Sequence, residues 1–249
     1  MTQRIAVVTG ARGGLGISMC KALCEQGRQV IATYHPGEGQ EQAAKSWQQQ
    51  MRDDGYELTI YPLNVADYDN CCSFIAAVEA EQGPIDILVN NAGITRDAPL
   101  KRMQPEQWNE VISTNLSSMY NMCQPVFDGM CQRGWGRIVN VSSLNGEKGQ
   151  FGQSNYAATK AGIYGFTRSI ALEGARKGVT VNSVSPGYID TPMVRQVPEK
   201  VLASIVAGIP VGRLGLPEEI SRAVTYLTDD KAGFVTGTNM SINGGQYMS

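Results

Sequence analysis

Three residues in the second half of the chain have the types and spacing that proton transfer to a substrate oxygen requires. Ser143 is followed thirteen residues later by Tyr156, and Lys160 comes four residues after that tyrosine. Residues four apart on a helix lie on one face, about one turn apart. The segment after Tyr156 is rich in Ala, Ile and Leu and contains no Pro, so we expect a helix there.

These three groups together could deliver a proton from a phenol. A phenol has an unperturbed pKa near 10, and an ammonium about 4–5 Å away lowers that pKa by about 2–3 units at an effective dielectric of about 20. We therefore expect Lys160 to lower the pKa of Tyr156 so that it exchanges a proton near pH 7, while Ser143 holds the same oxygen. The YxxxK pattern alone is common, and a packed tyrosine beside a solvated lysine is the alternative.

The elements around these residues should bring them together. The apolar, β-branched run RIVNVS predicts a strand that ends at Ser142 or Ser143. A glycine-rich loop then leads to the helix that carries Tyr156 and Lys160. A strand end therefore faces a helix, which is a geometry that can unite the three side chains.

A glycine-rich turn near the start of the chain predicts a dinucleotide site. An apolar strand over residues 4–9 precedes GARGGLG, which is followed by a helical pattern to about residue 26 and a second strand at about 29–33. Gly10, Gly14 and Gly16 are spaced TGxxxGxG in this βαβ unit. Glycine is needed where the backbone turns tightly and approaches a pyrophosphate, and the N–H groups of the helix N-terminus bind that anion.

The residues after the second strand indicate which nicotinamide cofactor is used. An acidic residue there would bind the adenosine ribose and favour NAD, but this chain has Thr33, Tyr34 and His35 and no acid until Glu38. We therefore predict NADP(H), with Arg12 and Thr33 near the 2′-phosphate and His35 as a weaker candidate. A solvated Arg12 is the alternative.

Two further strand ends contribute to the predicted site. A third strand over 58–65 ends in Asn64-Val65, which can border the adenine, and Asp67 then caps a helix that runs to about residue 82. A fourth strand leads into NNAG (90–93), where the asparagines tolerate unusual backbone angles and Gly93 allows close approach of the cofactor.

The remaining pattern predicts a single α/β domain over residues 1–249, with a Rossmann-type, doubly wound parallel sheet of about seven strands and helices on both faces. A long helix begins at Pro105 and carries Asn115 in its middle, where the side chain is either paired or directed to solvent. The proline-rich segment 190–217 is interpreted as a mobile helical lid over the site.

Composition excludes several other classes. The chain has 249 residues, 42% of them hydrophobic, and a net charge of −2, which argues against a nucleic-acid partner. No apolar run is long enough for a membrane span, and the N-terminal pattern is not that of a signal peptide. Six cysteines without a CxxC pair, and a single histidine, favour reduced thiols in a cytoplasmic enzyme and no metal site.

With these motifs in place, the chain resembles the short-chain dehydrogenase/reductase family along its whole length. The matching motifs are TGARGGLG (9–16), NNAG (90–93), the helix of Asn115, Ser143, YAATK (156–160) and PG (186–187). The resemblance implies a catalytic tetrad of Asn115, Ser143, Tyr156 and Lys160, in which the lysine binds the nicotinamide ribose and the asparagine holds a water in a proton relay. It also implies a homotetramer.

The resemblance extends the predicted cofactor site to the PG turn and to Ile189 and Thr191, which would meet the carboxamide. The full set of predicted cofactor-binding residues is Gly10, Arg12, Gly14, Leu15, Gly16, Thr33, Asn64, Val65, Asn91, Ala92, Gly93, Tyr156, Lys160, Pro186, Gly187, Ile189 and Thr191.

The runs NNAGITRD and GWGRIVNVSSLNGEKGQFGQSNY resemble a branch of that family that reduces 3-oxoacyl-CoA thioesters such as acetoacetyl-CoA with NADPH in polyhydroxybutyrate synthesis. The implied partner is an acyl-CoA. The predicted substrate-binding residues are Ser143, Gln150, Phe151, Gln153, Tyr156 and Tyr188. A loop that only connects two elements is the alternative for 150–153. Reduction of a carrier-protein thioester in fatty-acid synthesis and non-catalytic regulation by NADP binding are the competing functions.

Overall fold

The computed structural model of the protein describes residues 3–192 and 194–248. Seven strands in these ranges form one sheet, in the order β3-β2-β1-β4-β5-β6-β7, and every neighbouring pair is parallel. The strands are β1 (Ile5–Val8), β2 (Gln29–Tyr34), β3 (Leu58–Pro62), β4 (Ile85–Asn90), β5 (Gly136–Val141), β6 (Val179–Pro186) and β7 (Asn239–Ile242). The predicted doubly wound sheet is confirmed.

Helices connect successive strands and cover both faces of the sheet. They are α1 (Gly14–Glu25), α2 (Gln40–Asp53), α3 (Tyr68–Glu81), α4 (Pro105–Ile112), α5 (Ser118–Arg133), α6 (Leu144–Lys148), α7 (Ser154–Gly174), α8 (Glu199–Ala207) and α9 (Pro217–Leu227). None of the described helices is long and apolar enough to cross a membrane.

The core consists of two apolar clusters, one on each face of the sheet. In β1, Ile5 and Val7 belong to one cluster and Ala6 and Val8 to the other, because successive side chains of a strand point to opposite faces. All four residues are buried. A strand with both faces covered needs apolar residues throughout, which is why these strands are recognisable as continuous apolar runs.

The predicted long helix from Pro105 is interrupted. A π-helical turn at Ser113–Ser117 separates α4 from α5 and carries Asn115. A π turn inserts one extra residue into the helical path, and such turns are frequent at functional sites. Sequence periodicity does not reveal this insertion, since residues 106–124 contain no proline or glycine to mark a break in the helix.

Two other segments differ from the predictions. The connection after Ser143, expected as a loop, contains the short helix α6, for which the Ser143 side chain is the N-cap. β3 ends at Pro62 and leaves Asn64 and Val65 in the following turn. The segment 190–217 contains a 3₁₀ turn at Val194–Gln196 and α8, and its mobility remains a prediction.

Candidate active site

The strand order reverses between β1 and β4, and a cleft opens at the carboxyl ends of these strands, as expected at such a switch point in an open α/β sheet. The cleft has a volume of about 600 Å³. Ser143, Tyr156 and Lys160 all line it, together with the glycine loop, residues 186–189 and Thr191. The three residues with proton-transfer chemistry therefore lie at one site.

Lys160 is fixed deep in this cleft. Its side chain is buried, Nζ donates to the Val141 carbonyl oxygen at 2.8 Å, and Nζ lies 5.5 Å from the centroid of the Tyr156 ring. Ser142 Oγ donates to the Lys160 carbonyl oxygen at 2.7 Å, which joins α7 to the end of β5. Tyr156 and Lys160 are thus held against the strand that delivers Ser143.

The predicted lowering of the Tyr156 pKa is wrong. Burial raises the pKa of Tyr156 above its usual value, and the nearby Ser143 side chain opposes that rise only in part. Burial also lowers the pKa of Lys160 to about 8, so this ammonium pays a desolvation penalty of its own. The dominant effect here is loss of water around both groups, which a pairwise charge argument leaves out. A phenol with a raised pKa carries its proton at neutral pH, as a proton donor must.

The depressed pKa of Lys160 makes stability depend on pH. Between about pH 8 and the unfolded value near 10.4, the unfolded chain binds more protons than the folded one, so the free energy of unfolding rises with pH. The buried charge costs about 3 kcal/mol at neutral pH, and about 2 kcal/mol of this is recovered by about pH 9.5. We expect urea unfolding of the wild type to show this gain relative to Lys160→Met. Parallel pH profiles for the two proteins would contradict it.

The glycine loop has the close packing that the sequence predicts. Gly10 has a left-handed φ of 61°. A Cβ at Gly16 would lie 2.5 Å from the Gly10 carbonyl oxygen. Gly13, the N-cap of α1, makes no side-chain cap, so N–H groups of the first turn face the cleft without an internal acceptor. An open helix N-terminus of this kind suits a pyrophosphate.

The NNAG turn is held by side-chain hydrogen bonds. Asn91 Nδ2 donates to the carbonyl oxygens of Thr9 and Gly10 at 3.0 and 3.1 Å. Thr9 Oγ1 accepts from the backbone N–H groups of Asn91 and Ala92 at 2.9 and 3.0 Å. No non-glycine residue in the described chain has a positive φ, so the asparagines serve through their amides and not through unusual backbone angles. Thr9 is not among the residues predicted for the site, although a hydroxyl at a buried strand end, directly before a glycine loop, indicates such a role.

Asn115 is buried, and its side chain is paired and not directed to solvent. Its Oδ1 accepts from the Ile94 N–H at 2.8 Å, and its Nδ2 donates to the Ile94 carbonyl oxygen at 2.9 Å. A Cβ at Gly93 would lie 3.2 Å from the Asn115 oxygen and 3.6 Å from Lys160 Nζ. Asn115 therefore braces the turn that borders the cleft, and its part in a proton relay remains a prediction.

Several predicted cofactor residues do line the cleft. They are Gly10, Arg12, Gly14, Leu15, Gly16, Asn91, Ala92, Gly93, Tyr156, Lys160, Pro186, Gly187, Ile189 and Thr191. Thr191 packs directly on the glycine loop, because a Cβ at Gly14 would lie 2.8 Å from its Cγ2. Arg12 Nη1 donates to Gln40 Oε1 at 3.0 Å.

Three residues of the predicted cofactor set, and the weaker candidate His35, lie outside this cleft. Thr33 is buried, and its carbonyl oxygen accepts from the Ala11 N–H at 3.0 Å, so it supports the glycine loop from behind. Asn64 and His35 border a neighbouring cleft of about 750 Å³. Val65 is buried, and its carbonyl oxygen accepts from Asn121.

The predicted substrate residues divide in the same way. Tyr188 lines the cleft with Ser143 and Tyr156. Gln150 is exposed, Phe151 is 85% exposed, and neither lines it. Gln153 donates to Asp97 Oδ2 and accepts from Asn145 Nδ2, each at 2.8 Å. A substrate role for these three residues remains a prediction.

Comparison with known proteins agrees with this geometry. Residues 4–202 match the family model described as short chain dehydrogenase. The chain is 53% identical to the acetoacetyl-CoA reductase of Rhizobium meliloti over 99% of both sequences, and 49% identical to that of Cupriavidus necator over 100% of both. It is 43% identical to the 3-oxoacyl-(acyl-carrier-protein) reductase of Vibrio harveyi over 98% of both. Because the family match covers well over half of the chain and the identities extend over whole sequences, this chain belongs to the short-chain dehydrogenase family, whose enzymes are nicotinamide-dependent oxidoreductases.

Proposed function

We propose that this protein reduces acetoacetyl-CoA to (R)-3-hydroxybutanoyl-CoA with NADPH, as a step of polyhydroxybutyrate synthesis. The observation that carries the proposal is the placement of a protonated phenol, a buried ammonium and a serine at a strand end, all beside a glycine loop suited to a dinucleotide. The names of the relatives with identities near one half supply the substrate class.

The residues of the chain hold the substrate oxygen and supply the proton, whereas the hydride would come from the cofactor. When bound, the reduced nicotinamide would supply a hydride to C3 of the 3-oxoacyl group. Ser143 holds the substrate oxygen, and Tyr156 donates its proton to that oxygen. Lys160, 5.5 Å from the ring centroid, stabilises the phenolate that remains. Asn115 fixes the turn beneath the nicotinamide site and helps to resupply the proton.

The cofactor would be held by the glycine loop and the two turns that face it. A Cβ at Gly16 would meet the backbone of Gly10 and Ala11, so this glycine lets the first turn of α1 pack closely on the loop and keeps its N–H groups beside the pyrophosphate position. Pro186, Gly187, Ile189 and Thr191 would meet the nicotinamide end.

Arg12 is proposed as the ligand of the NADP 2′-phosphate. It lines the cleft, and its contact with Gln40 holds the guanidinium beside the first residue of α2, the helix that follows β2. Loss of a charge-assisted hydrogen bond costs about 1.5–3 kcal/mol. We expect Arg12→Gln to raise KM for NADPH at least about tenfold and to leave KM for NADH unchanged, measured by initial rates at saturating thioester. An unchanged KM for NADPH would exclude Arg12 from the phosphate site.

A second candidate function is the reduction of a 3-oxoacyl thioester bound to a carrier protein. It is favoured by the similarity to the 3-oxoacyl-(acyl-carrier-protein) reductase. An acidic carrier protein needs a basic docking surface near the cleft. Arg133 ends α5, and Arg137 lies at the start of β5, whereas Ser143 follows the other end of that strand. At the rise per residue of a strand, these arginines therefore lie about 20 Å from the edge of the cleft. Arg137 is buried and donates to backbone carbonyls, and Arg133 donates to the Ile85 carbonyl oxygen. These arginines do not support carrier docking.

The experiment that tests the function compares kcat/KM for acetoacetyl-CoA and for acetoacetyl-carrier protein, with NADPH in both arms. We expect the CoA thioester to be preferred. A preference for the carrier-bound thioester would replace the proposal with the second candidate. Absence of NADPH oxidation with either thioester would favour a non-catalytic regulator. The single domain, the lid at 190–217, the homotetramer and the cytoplasmic location remain predictions of the sequence.

A further inference from the structure

One tyrosine that the proposed mechanism does not use makes direct contact with the backbone of the catalytic serine. Tyr164 lies on α7, one turn beyond Lys160 and two turns beyond Tyr156, and therefore on the same face. Its hydroxyl donates to the Ser143 carbonyl oxygen at 3.0 Å and lies 2.9 Å from Ser185 Oγ. The ring is half-buried between α6 and the end of β6.

The hydroxyl of Tyr164 is the donor in its contact with the Ser143 backbone. A carbonyl oxygen can only accept, so Tyr164 must be the donor in its contact with Ser143. The Ser185 hydroxyl then donates either to Tyr164 or to Asn239 Oδ1, which lies 2.9 Å away and also accepts from Ser183. In the first arrangement the Tyr164 proton is left for Ser143; in the second, the contact with Ser185 also needs that proton, which is then shared between Ser185 Oγ and the Ser143 carbonyl oxygen. Where Ser185 donates to Tyr164, the two bonds reinforce each other.

The other lone pair of the Ser143 carbonyl is also occupied. The Gly146 N–H, in the first turn of α6, donates to it at 2.9 Å. Tyr164 and Gly146 together therefore fix the peptide plane that follows the Ser143 side chain. That plane sets the direction from which Ser143 Oγ enters the cleft.

The same network continues to the last strand of the sheet. Asn239, in β7, donates through Nδ2 to Glu147 Oε1 at 2.8 Å, and Ser241 donates to the same oxygen. Glu147 lies in α6, four residues after Ser143. The short helix that begins at Ser143 is thus tied to β7 at its far end and to α7 at its near end.

We propose that Tyr164 is a positioning residue, whose hydroxyl fixes the Ser143 backbone so that the serine side chain meets the substrate oxygen. This inference rests on the proposed function, since Ser143 matters here as a holder of that oxygen. Tyr164 acts through Ser143 and does not itself line the cleft. We expect Tyr164 to influence kcat and not the affinity for NADPH, because its hydroxyl contacts Ser143 and Ser185 and not the glycine loop that would hold the cofactor.

The test is Tyr164→Phe, which keeps the ring and removes only the hydroxyl. We expect kcat with acetoacetyl-CoA to fall about tenfold, because small displacements of a catalytic group carry large rate costs. The Kd for NADPH, followed by the fluorescence of the reduced nicotinamide, should stay within about twofold of the wild-type value. Tyr56→Phe is the matched control, since it removes a tyrosine hydrogen bond of 2.8 Å, to Glu25, at the opposite edge of the sheet. It should leave kcat unchanged.

Hydrogen–deuterium exchange gives a readout that does not depend on activity. Loss of the Tyr164 hydroxyl should increase deuterium uptake in the peptide that spans residues 142–149, and Tyr56→Phe should not. The inference is overturned if kcat of Tyr164→Phe stays within about twofold of wild type, if uptake in 142–149 is unchanged, or if NADPH affinity falls as much as kcat. A wild-type protein that does not reduce acetoacetyl-CoA would instead refute the proposed function, while the exchange measurement would still decide whether Tyr164 holds the Ser143 segment.

Discussion

Replacing Tyr156 with phenylalanine is expected to lower kcat for acetoacetyl-CoA reduction at least about a hundredfold, since a positioned general acid contributes about 10²–10⁴ in rate. The variant keeps the aromatic ring beside Lys160 Nζ and loses only the proton donor. Burial keeps that proton on the phenol at neutral pH, so the wild-type residue is ready to donate before the hydride arrives. Stopped-flow or steady-state measurement of NADPH oxidation tests this expectation.

The affinity for NADPH distinguishes a chemical effect from a damaged site. Because the ring is retained and the glycine loop is untouched, the Kd for NADPH should stay near the wild-type value. Tyr61→Phe is a suitable control: it removes a hydrogen bond of 2.6 Å to Glu81, far from the cleft. Near-wild-type turnover in Tyr156→Phe would remove Tyr156 from the mechanism.

The second large effect is expected from Gly16→Ala. The new Cβ would lie 2.5 Å from the Gly10 carbonyl oxygen and 2.7 Å from Ala11 Cα, and both contacts are with backbone that has no flexible end to move aside. The loop must shift, which also strains the bond from the Ala11 N–H to the Thr33 carbonyl oxygen. Overpacking of this kind costs about 1–3 kcal/mol, and a cost of about 3 kcal/mol would lower Tm by about 6–12 °C for a chain of this size. We expect NADPH affinity to fall at least about tenfold as well, measured by fluorescence titration.

Gly13→Ala provides the matched control in the same loop. Its Cβ would lie 3.4 Å from the Gly10 carbonyl oxygen, which is an ordinary contact, and its φ of −73° suits any residue. Its Tm should therefore stay near the wild-type value. If Gly16→Ala were as stable as Gly13→Ala and bound NADPH equally well, the close packing of this loop would not be what shapes the cofactor site.

The fold was predictable because a strand that is buried on both faces appears in the sequence as a continuous apolar run. β1 needs apolar residues at every position, since Ile5 and Val7 face one layer of helices while Ala6 and Val8 face the other. Helix caps were also predictable from the sequence. Asp67 was expected to cap a helix, and its side chain does accept a hydrogen bond from the Asn70 N–H at the start of α3.

Side-chain direction and desolvation were not predictable in this way. Gln153 is close to Tyr156 in the sequence, yet it turns towards Asp97, because a helix start sends neighbouring residues to different sides. Thr33 lies in β2, is buried, and supports the glycine loop through its carbonyl oxygen instead of lining the cleft. The pKa of Tyr156 depends on how much water the folded chain removes from the phenol, and neither spacing nor charge encodes that quantity.

The π turn at Ser113–Ser117 has a consequence for how this helix tolerates changes in length. The turn accommodates one residue more than regular helical geometry allows, and the amide of Asn115 reaches both backbone groups of Ile94 from that position. Deleting a single residue here would allow α4 and α5 to join as one continuous α-helix. Because the π turn absorbs the extra residue, α4 and α5 would keep their relative faces, and the change would fall on Asn115, which would lose the widened turn from which its amide reaches Ile94. The one extra residue in this turn is therefore what places the Asn115 amide on Ile94, and a one-residue deletion is expected to cost that contact while leaving the two helices in place.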